Sequence, residues 1–551
     1  MGACAMDGNK MPKNFRVFWL IIMAAMGLAV SVWSSESAVN SPVPHFQTSD
    51  RCLACHNGLA TSAGEDISIG LAWQPTMMAN AGRDPYWHAG VRRETIDHPE
   101  SRAAIEDECS TCHMPMARFM SKLANREGDV FSHLEFLPDD RGDQLAADSV
   151  SCSLCHQIGK EKLGTRESFV GNFVIDEPNA QGNRMEFGPY APDTGHARIM
   201  RSSTGGFLPT ESVHIRESEL CATCHTLITH ALGAGGKIIA EFPEQVPYQE
   251  WQHSEYREKR SCQSCHMPVV QEDVAISSVL GVPRTGVSRH VFVGGNFFLS
   301  GILNRYRNEL SVQAHPDQLT GSAKRTKEHL QSEAARISIE NLQERAGRLE
   351  TEIVIENFGG HKLPTAYPSR RVWLHLIVRD GDDRTIFESG ALSSTGAIAD
   401  NDNDSDATKF EPHYTEIRSA GQVQIYEAIM ADSSGAVTTG LLNAVRYAKD
   451  NRLLPRGFEK KTADTDIAVA GKAFEDANFR GGSDHVRFSI DPGKAQGPFR
   501  MEAELCYQPI GYRWAMNLKY YDADEPRRFT TYYETASASS MQVLAQAHAG
   551  Q

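Results

Sequence analysis

Five times in this chain, two cysteines three positions apart are followed at once by a histidine. The pattern occurs as Cys52-Leu-Ala-Cys55-His56, Cys109-Ser-Thr-Cys112-His113, Cys152-Ser-Leu-Cys155-His156, Cys221-Ala-Thr-Cys224-His225 and Cys262-Gln-Ser-Cys265-His266. Cysteines at that spacing share one side of a helical turn, where their sulfurs can bond the two vinyl groups of one porphyrin. The adjacent histidine then faces the iron as its proximal axial ligand. Five repeats within about 215 residues read as attachment points for five covalent haems c. Zinc sites use such cysteine pairs two by two. Five do not pair off, and zinc gives no reason for a histidine after every second cysteine. Thioredoxin-like redox chemistry needs one pair in a strand–helix setting, and structural disulfides again leave the histidine unexplained.

Composition limits what such a protein can do. Of 551 residues, 40% are hydrophobic, the proportion of a soluble globular body with room for two to four domains. A formal net charge of -15 argues against nucleic acid and anionic lipid as partners and suits docking to basic redox proteins. Of twelve cysteines, ten lie in the motifs, leaving Cys4 and Cys506. Cys506, inside Glu504-Leu-Cys-Tyr507, reads as a buried free thiol in a strand. Oligomeric state is not legible.

Residues 1–38 have the layout of an export signal. Lys13 and Arg16 precede the apolar run Val17–Val30, a positive region followed by a short hydrophobic core. A membrane-spanning helix needs about 20 apolar residues, so a cleaved signal is the first reading and a retained inner-membrane anchor the alternative. Either way the body is expected to be periplasmic or otherwise exported, which suits haem c because that cofactor is attached outside the bacterial cytoplasm.

Residues 39–315 are expected to form the pentahaem domain, mainly α-helical and irregular, with the porphyrins supplying much of its apolar interior. A set of bis-histidine irons needs five more histidines. The distal candidates in this half are His133, His214, His253 and His290, with His88, His98, His196 and His230 as its further histidines. His214 and His253 lie seven and nine residues before the fourth and fifth motifs, and His290 precedes Val-Phe-Val-Gly-Gly295, whose glycines permit close approach to a flat cofactor. Met77 and Met78 offer thioether ligation, which raises the potential, or simple packing.

The stretch Cys262-Gln-Ser-Cys-His-Met-Pro268, preceded by Tyr248-Gln-Glu-Trp251, resembles multihaem c-type cytochromes. That group includes tetrahaem cytochromes of nitrifiers, pentahaem nitrite reductase and octahaem hydroxylamine oxidoreductase. The resemblance covers about residues 45–300 by motif, and Gly360-His-Lys-Leu-Pro-Thr365 extends it. It implies haems stacked in close pairs that conduct electrons, and it implies a distal ligand in His361. The alternative for His361 is a structural histidine at a strand end. Two departures matter. The catalytic haem motif of pentahaem nitrite reductase carries lysine, whereas all five motifs here end in histidine, and no counterpart of the crosslinking tyrosine of hydroxylamine oxidoreductase is assignable.

Residues 316–347 read as a helical connector, with Ala346-Gly347 as a boundary. From 348 to 530 the periodicity becomes two. Leu349, Thr351, Ile353 and Ile355 alternate with glutamates, Val372–Val378 and Arg384–Glu388 flank a turn at Asp380–Asp383, and further alternating runs follow. An all-β antiparallel sandwich is expected, then a final helix or tail over 531–551. Asp400, Asp402, Asp404, Asp406 and Glu411 match the oxygen spacing of a calcium loop, although Ser405 stands where glycine is expected; an acidic turn is the alternative. The expected function is electron transfer by an exported pentahaem cytochrome, with no catalytic residues assigned. The alternative is a haem oxidoreductase acting on a small nitrogen or sulfur compound at one open iron.

Overall fold

Leu349, Thr351, Ile353 and Ile355 turn to one side of the strand Arg348–Asn357 and are buried there, while the glutamates between them face outward. That one-sidedness is what a period of two imposes on an extended chain. In this computed structural model, which describes residues 43–550, the strand lies inside a four-stranded sheet. Its order is Glu416–Ile417, Ser483–Ile490, Arg348–Asn357, Ala335–Arg345. The expectations for residues 1–38 fall outside the described residues. Among the described residues no helix is long and apolar enough to cross a membrane.

A second, seven-stranded sheet runs Val437–Thr438, Ile425–Ala431, Arg371–Arg379, Arg500–Gln508, Gln542–Gly550. Thr385–Ser389 and Arg446–Asp450 pair alongside it. Its ladders are antiparallel. In the smaller sheet Glu416–Ile417 joins in parallel. Ile353, Ile355, Val486 and Phe488 of the smaller sheet share one core with Leu374, Leu376, Met501 and Leu505 of the larger. Leu505 is wholly buried on a central strand. Leu505→Ala should cost about 2–5 kcal/mol through lost burial and the cavity left behind, read as a lower denaturation midpoint.

Two expectations about local structure are corrected. The 316–347 segment is helical only over Pro316–Glu333 and then becomes the strand Ala335–Arg345. Ile337 and Ile339 alternate with polar neighbours there, and Ala346-Gly347 is no boundary but a hairpin turn. Both residues have positive φ, 53° and 75°, and Arg345 pairs with Arg348 across them, as a two-residue hairpin loop requires. The final helix ends at Ala536, and Gln542–Gly550 is a strand paired antiparallel with Arg500–Gln508. Its alanines favour a helix in isolation, but the free side of Arg500–Gln508 offers it a hydrogen-bond ladder that makes it the edge strand of the sheet.

The first half has little regular structure of its own. Its ribbons have two strands each: Arg184–Gly188 with Phe207–Glu211, Leu227–Leu232 with Ile238–Gln245, and Val274–Ala275 with Pro283–Arg284. Helices, most of them short, carry the motifs, and beside one larger apolar cluster around Met114, Val130 and Leu145 the others of this half are small. Residues 45–550 nonetheless belong to one compact unit. Tyr86, Ala89, Ile228 and Val246 of the first half join the same core as both sheets. The whole is mixed α and β.

Candidate haem-binding centre

Each motif begins on or ends a short helix: Ser49–Leu53, Arg102–His113, Cys152–Cys155, Ser218–Ala222 and Cys262–His266. The local turn brings each histidine back toward its first cysteine. His56, His156 and His225 all donate their backbone N–H to the carbonyl of the motif's first cysteine.

The imidazoles are held by distant carbonyls. His56 Nδ1 donates to Ile276 O at 2.6 Å, His113 to Ala81 O at 3.1 Å, His156 to Phe187 O at 2.6 Å and His266 to Val293 O at 2.5 Å. Phe187 and Val293 also return their own N–H to the carbonyls of His156 and His266, so those two rings are clamped at two points. A proton fixed on Nδ1 leaves Nε2 as a lone-pair donor, the arrangement found around metal-bound histidines. Burial pushes His113 and His225 down to about 4 each and lowers His56, His156 and His266 as well. They stay neutral at physiological pH, which is the form that binds metals.

Two histidines stand opposite motif histidines. The His361 ring centroid is 6.2 Å from that of His266, with the planes 14° apart. His290 is 6.4 Å from His156, with the planes 20° apart. Two imidazoles on opposite sides of one metal, each bonded at about 2.0–2.1 Å, place their centroids roughly 6.3 Å apart. The Nδ1 atoms of His290 and His361 donate to Ser288 O and Lys362 O, again leaving Nε2 free. Burial lowers His290 to about 4 and lowers His361.

The remaining candidates are held by other groups. His133 Nδ1 pairs with Asp143 at 2.6 Å. His214 has both nitrogens engaged, with the Ser212 hydroxyl and Ile158 O. His253 donates from Nδ1 to Gln249 O and turns Nε2 toward Asp464 at 3.7 Å. Among the further histidines, His196 bridges Asp193 and Leu280 O, and His88 pairs with Gly82 O. Sequence reasoning passed over His329, whose ring is 6.4 Å from that of His266 but tilted by 53°. Its signal was available: it falls three residues after Thr326 and seven after Ser322, on the buried face of the helix Pro316–Glu333.

The loop bearing His361 is fixed by a buried charge network. Glu250, on the helix Pro247–Gln252, accepts from Lys362 N at 3.0 Å and from the Thr365 hydroxyl at 2.5 Å. It also faces Arg452 at 3.1 Å. Lys362 Nζ reaches Asp450 at 2.7 Å, and Arg452 pairs with the same carboxylate. Gly360 packs beside Trp251 and Tyr256, where an added Cβ would make ordinary contact with both rings. Thus Tyr248-Gln-Glu-Trp251 and Gly360–Thr365, far apart in sequence, form one joint beside the fifth motif.

The motif cysteines are neighbours in pairs. Cys52 lies beside Cys152, Cys221 beside Cys262 and Cys224 beside Cys112. None of the motif cysteines is in a disulfide. The acidic loop does not converge on a cation. Asp404 makes a two-point pair with Arg371. Glu411 accepts from Asp402 N and the Tyr414 hydroxyl, Asp406 from Thr408, and the turn Asp402–Ser405 is helical. Asp400 has positive φ, 60°.

No family model matches this chain, and no curated protein matches it. Among solved structures it is similar to a penta-heme cytochrome c552 from Thermochromatium tepidum. That match has 14% identity and a TM-score of 0.50, over 93% of this chain and 100% of the other. The fold is that of a multihaem cytochrome. Within that fold the ten motif cysteines and five motif histidines are suited by donor set to hold haem, and four of those histidines, His56, His113, His156 and His266, are suited by tautomer as well.

Proposed function

We propose that this chain is an exported pentahaem c-type cytochrome that passes electrons between redox protein partners. In this reading a haem-bearing part up to about residue 315 is followed by a β-sandwich. The observation that carries it is the pair of facing imidazoles, His266 with His361 and His156 with His290, each at axial-ligand separation. Bound haem would supply a one-electron iron couple. The chain supplies the rest. The motif cysteines would fix each porphyrin edge, backbone carbonyls hold four of the five proximal rings in the Nδ1–H tautomer, and the neutral rings would keep ligating as pH varies around neutrality.

The cysteine neighbours imply an order. Adjacent sulfurs would bring adjacent porphyrin edges together, so the first motif would neighbour the third, and the fourth would neighbour both the second and the fifth. The net charge of -15 favours basic partners, whose encounter would weaken as salt rises. Electron paramagnetic resonance of the oxidised holoprotein tests the reading. Low-spin iron throughout, with rapid reduction by a protein donor, is expected. A high-spin iron that binds and turns over nitrite or hydroxylamine would instead make the chain a catalyst.

A further inference from the structure

On the outer face of the seven-stranded sheet, away from the motifs, three metal-binding side chains meet. His375 on Arg371–Arg379 is directly across from Glu504 on Arg500–Gln508, and Cys506 is two residues on, across from Trp373. A ring nitrogen of His375, a carboxylate oxygen of Glu504 and Cys506 Sγ all lie within 4.8 Å of one another. We propose that these three residues bind zinc, with water completing a tetrahedral set.

The donors fit that ion. One nitrogen, one oxygen and one thiolate suit borderline-soft zinc rather than calcium or magnesium. A carboxylate and a thiolate together cancel the charge of a dication. The ligands sit on paired strands rather than loops, so their separation is set by the ladder.

The surroundings are those of a metal ligand set. His375 Nδ1 faces Glu504 Oε2 at 3.0 Å, and its other nitrogen, Nε2, donates to Glu388 Oε1 at 3.1 Å. A histidine that binds through one nitrogen and donates to a carboxylate through the other is the usual outer support of zinc. Gln546 donates to the second oxygen of Glu504 at 2.8 Å, which orients that carboxylate. Cys506 is wholly buried beside Trp373, Ile425 and Val543, while His375 and Glu504 retain 16% and 17% side-chain exposure. The site is therefore open on one side, where water and the ion enter. Burial also raises the Cys506 thiol, so metal rather than solvent would have to stabilise its thiolate.

A second cluster of similar composition shows what excludes a metal. His413, Asp476 and Asp484 are also close together, and all are buried. There His413 Nδ1 accepts from both Gln424 and Asn451 amides. The carbonyl oxygens of those amides are occupied by Tyr414 N and Glu427 N, which fixes the amides' orientation. The proton must then sit on Nε2, donated to Asp476, and no lone pair is left for an ion. At His375 both nitrogens face carboxylates, so a metal can take the place of the Nδ1 proton without disturbing any amide.

Zinc content of the haem-loaded full chain after incubation with zinc and dialysis, together with diffraction at the zinc absorption edge, tests this. A single zinc peak between His375, Glu504 and Cys506 is expected. Cys506→Ala and His375→Ala should abolish zinc retention with the haem spectrum unchanged. Glu388→Gln, which leaves all three ligands and a half-exposed position intact, should weaken zinc binding about 10–100-fold. Absence of zinc from the wild-type chain, or equal retention by all three variants, would overturn the proposal and leave His375 as an imidazolium held between two carboxylates.

Discussion

Asp450→Ala is expected to destabilise the folded chain by about 3–5 kcal/mol, a large part of the roughly 5–15 kcal/mol that holds a typical domain together. The carboxylate is 1% exposed and receives Lys362 Nζ at 2.7 Å and Arg452 at 2.8 and 2.9 Å. Removing it leaves two buried cations with Glu250 as their nearby carboxylate and, for Lys362, a long contact to Ala468 O. Burial by itself would raise the Asp450 carboxyl, but Arg452 and Lys362 outweigh that and hold it below the ordinary range. The sign of the pH effect follows. A carboxyl depressed in the folded state contributes its full stability above its unfolded value of about 3.9 and loses it as pH falls through the folded value. Asp450→Asn, which keeps the shape without the charge, should therefore differ most from wild type at neutral pH, with the gap closing in acid. Urea midpoints across that range read the difference. Equal midpoints at neutral pH would mean that the network contributes nothing.

How much of this was legible in the sequence depends on range. The five attachment motifs are local, because the spacing of two cysteines and a histidine fixes their relation within one helical turn. The strands 348–357 and 371–379 were legible for the same reason, since alternation needs only near neighbours. The carbonyls that hold the motif rings were not: Ile276 is 220 residues from His56, and nothing in either segment announces the contact. Nor were the acidic loop's partners. Asp404 matches a calcium spacing, yet Arg371 claims it from a neighbouring strand. The terminal strand Gln542–Gly550 was misread because pairing with Arg500–Gln508 outweighs alanine's helical preference. His329 and His361 sit near the same motif ring, and only three-dimensional orientation separates them.

That separation gives the second large effect. For the pentahaem cytochrome proposed above, His361→Ala should convert one iron of five from low-spin to high-spin, removing about a fifth of the low-spin signal, and His290→Ala should do the same to a different iron. The two rings face different motif histidines, so the double variant should lose the sum. Both changes should spare the fold, because the joint around His361 is held by Glu250, Lys362 and Asp450 rather than by the imidazole itself. His329→Ala should leave every iron low-spin, since its ring is tilted by 53° from that of His266 where His361 is nearly parallel. His361→Met should keep that iron low-spin and raise its potential, as thioether ligation does. If His329→Ala changes one iron and His361→Ala changes none, the fifth motif takes its distal ligand from the helix Pro316–Glu333, and the loop Gly360–Thr365 is structural.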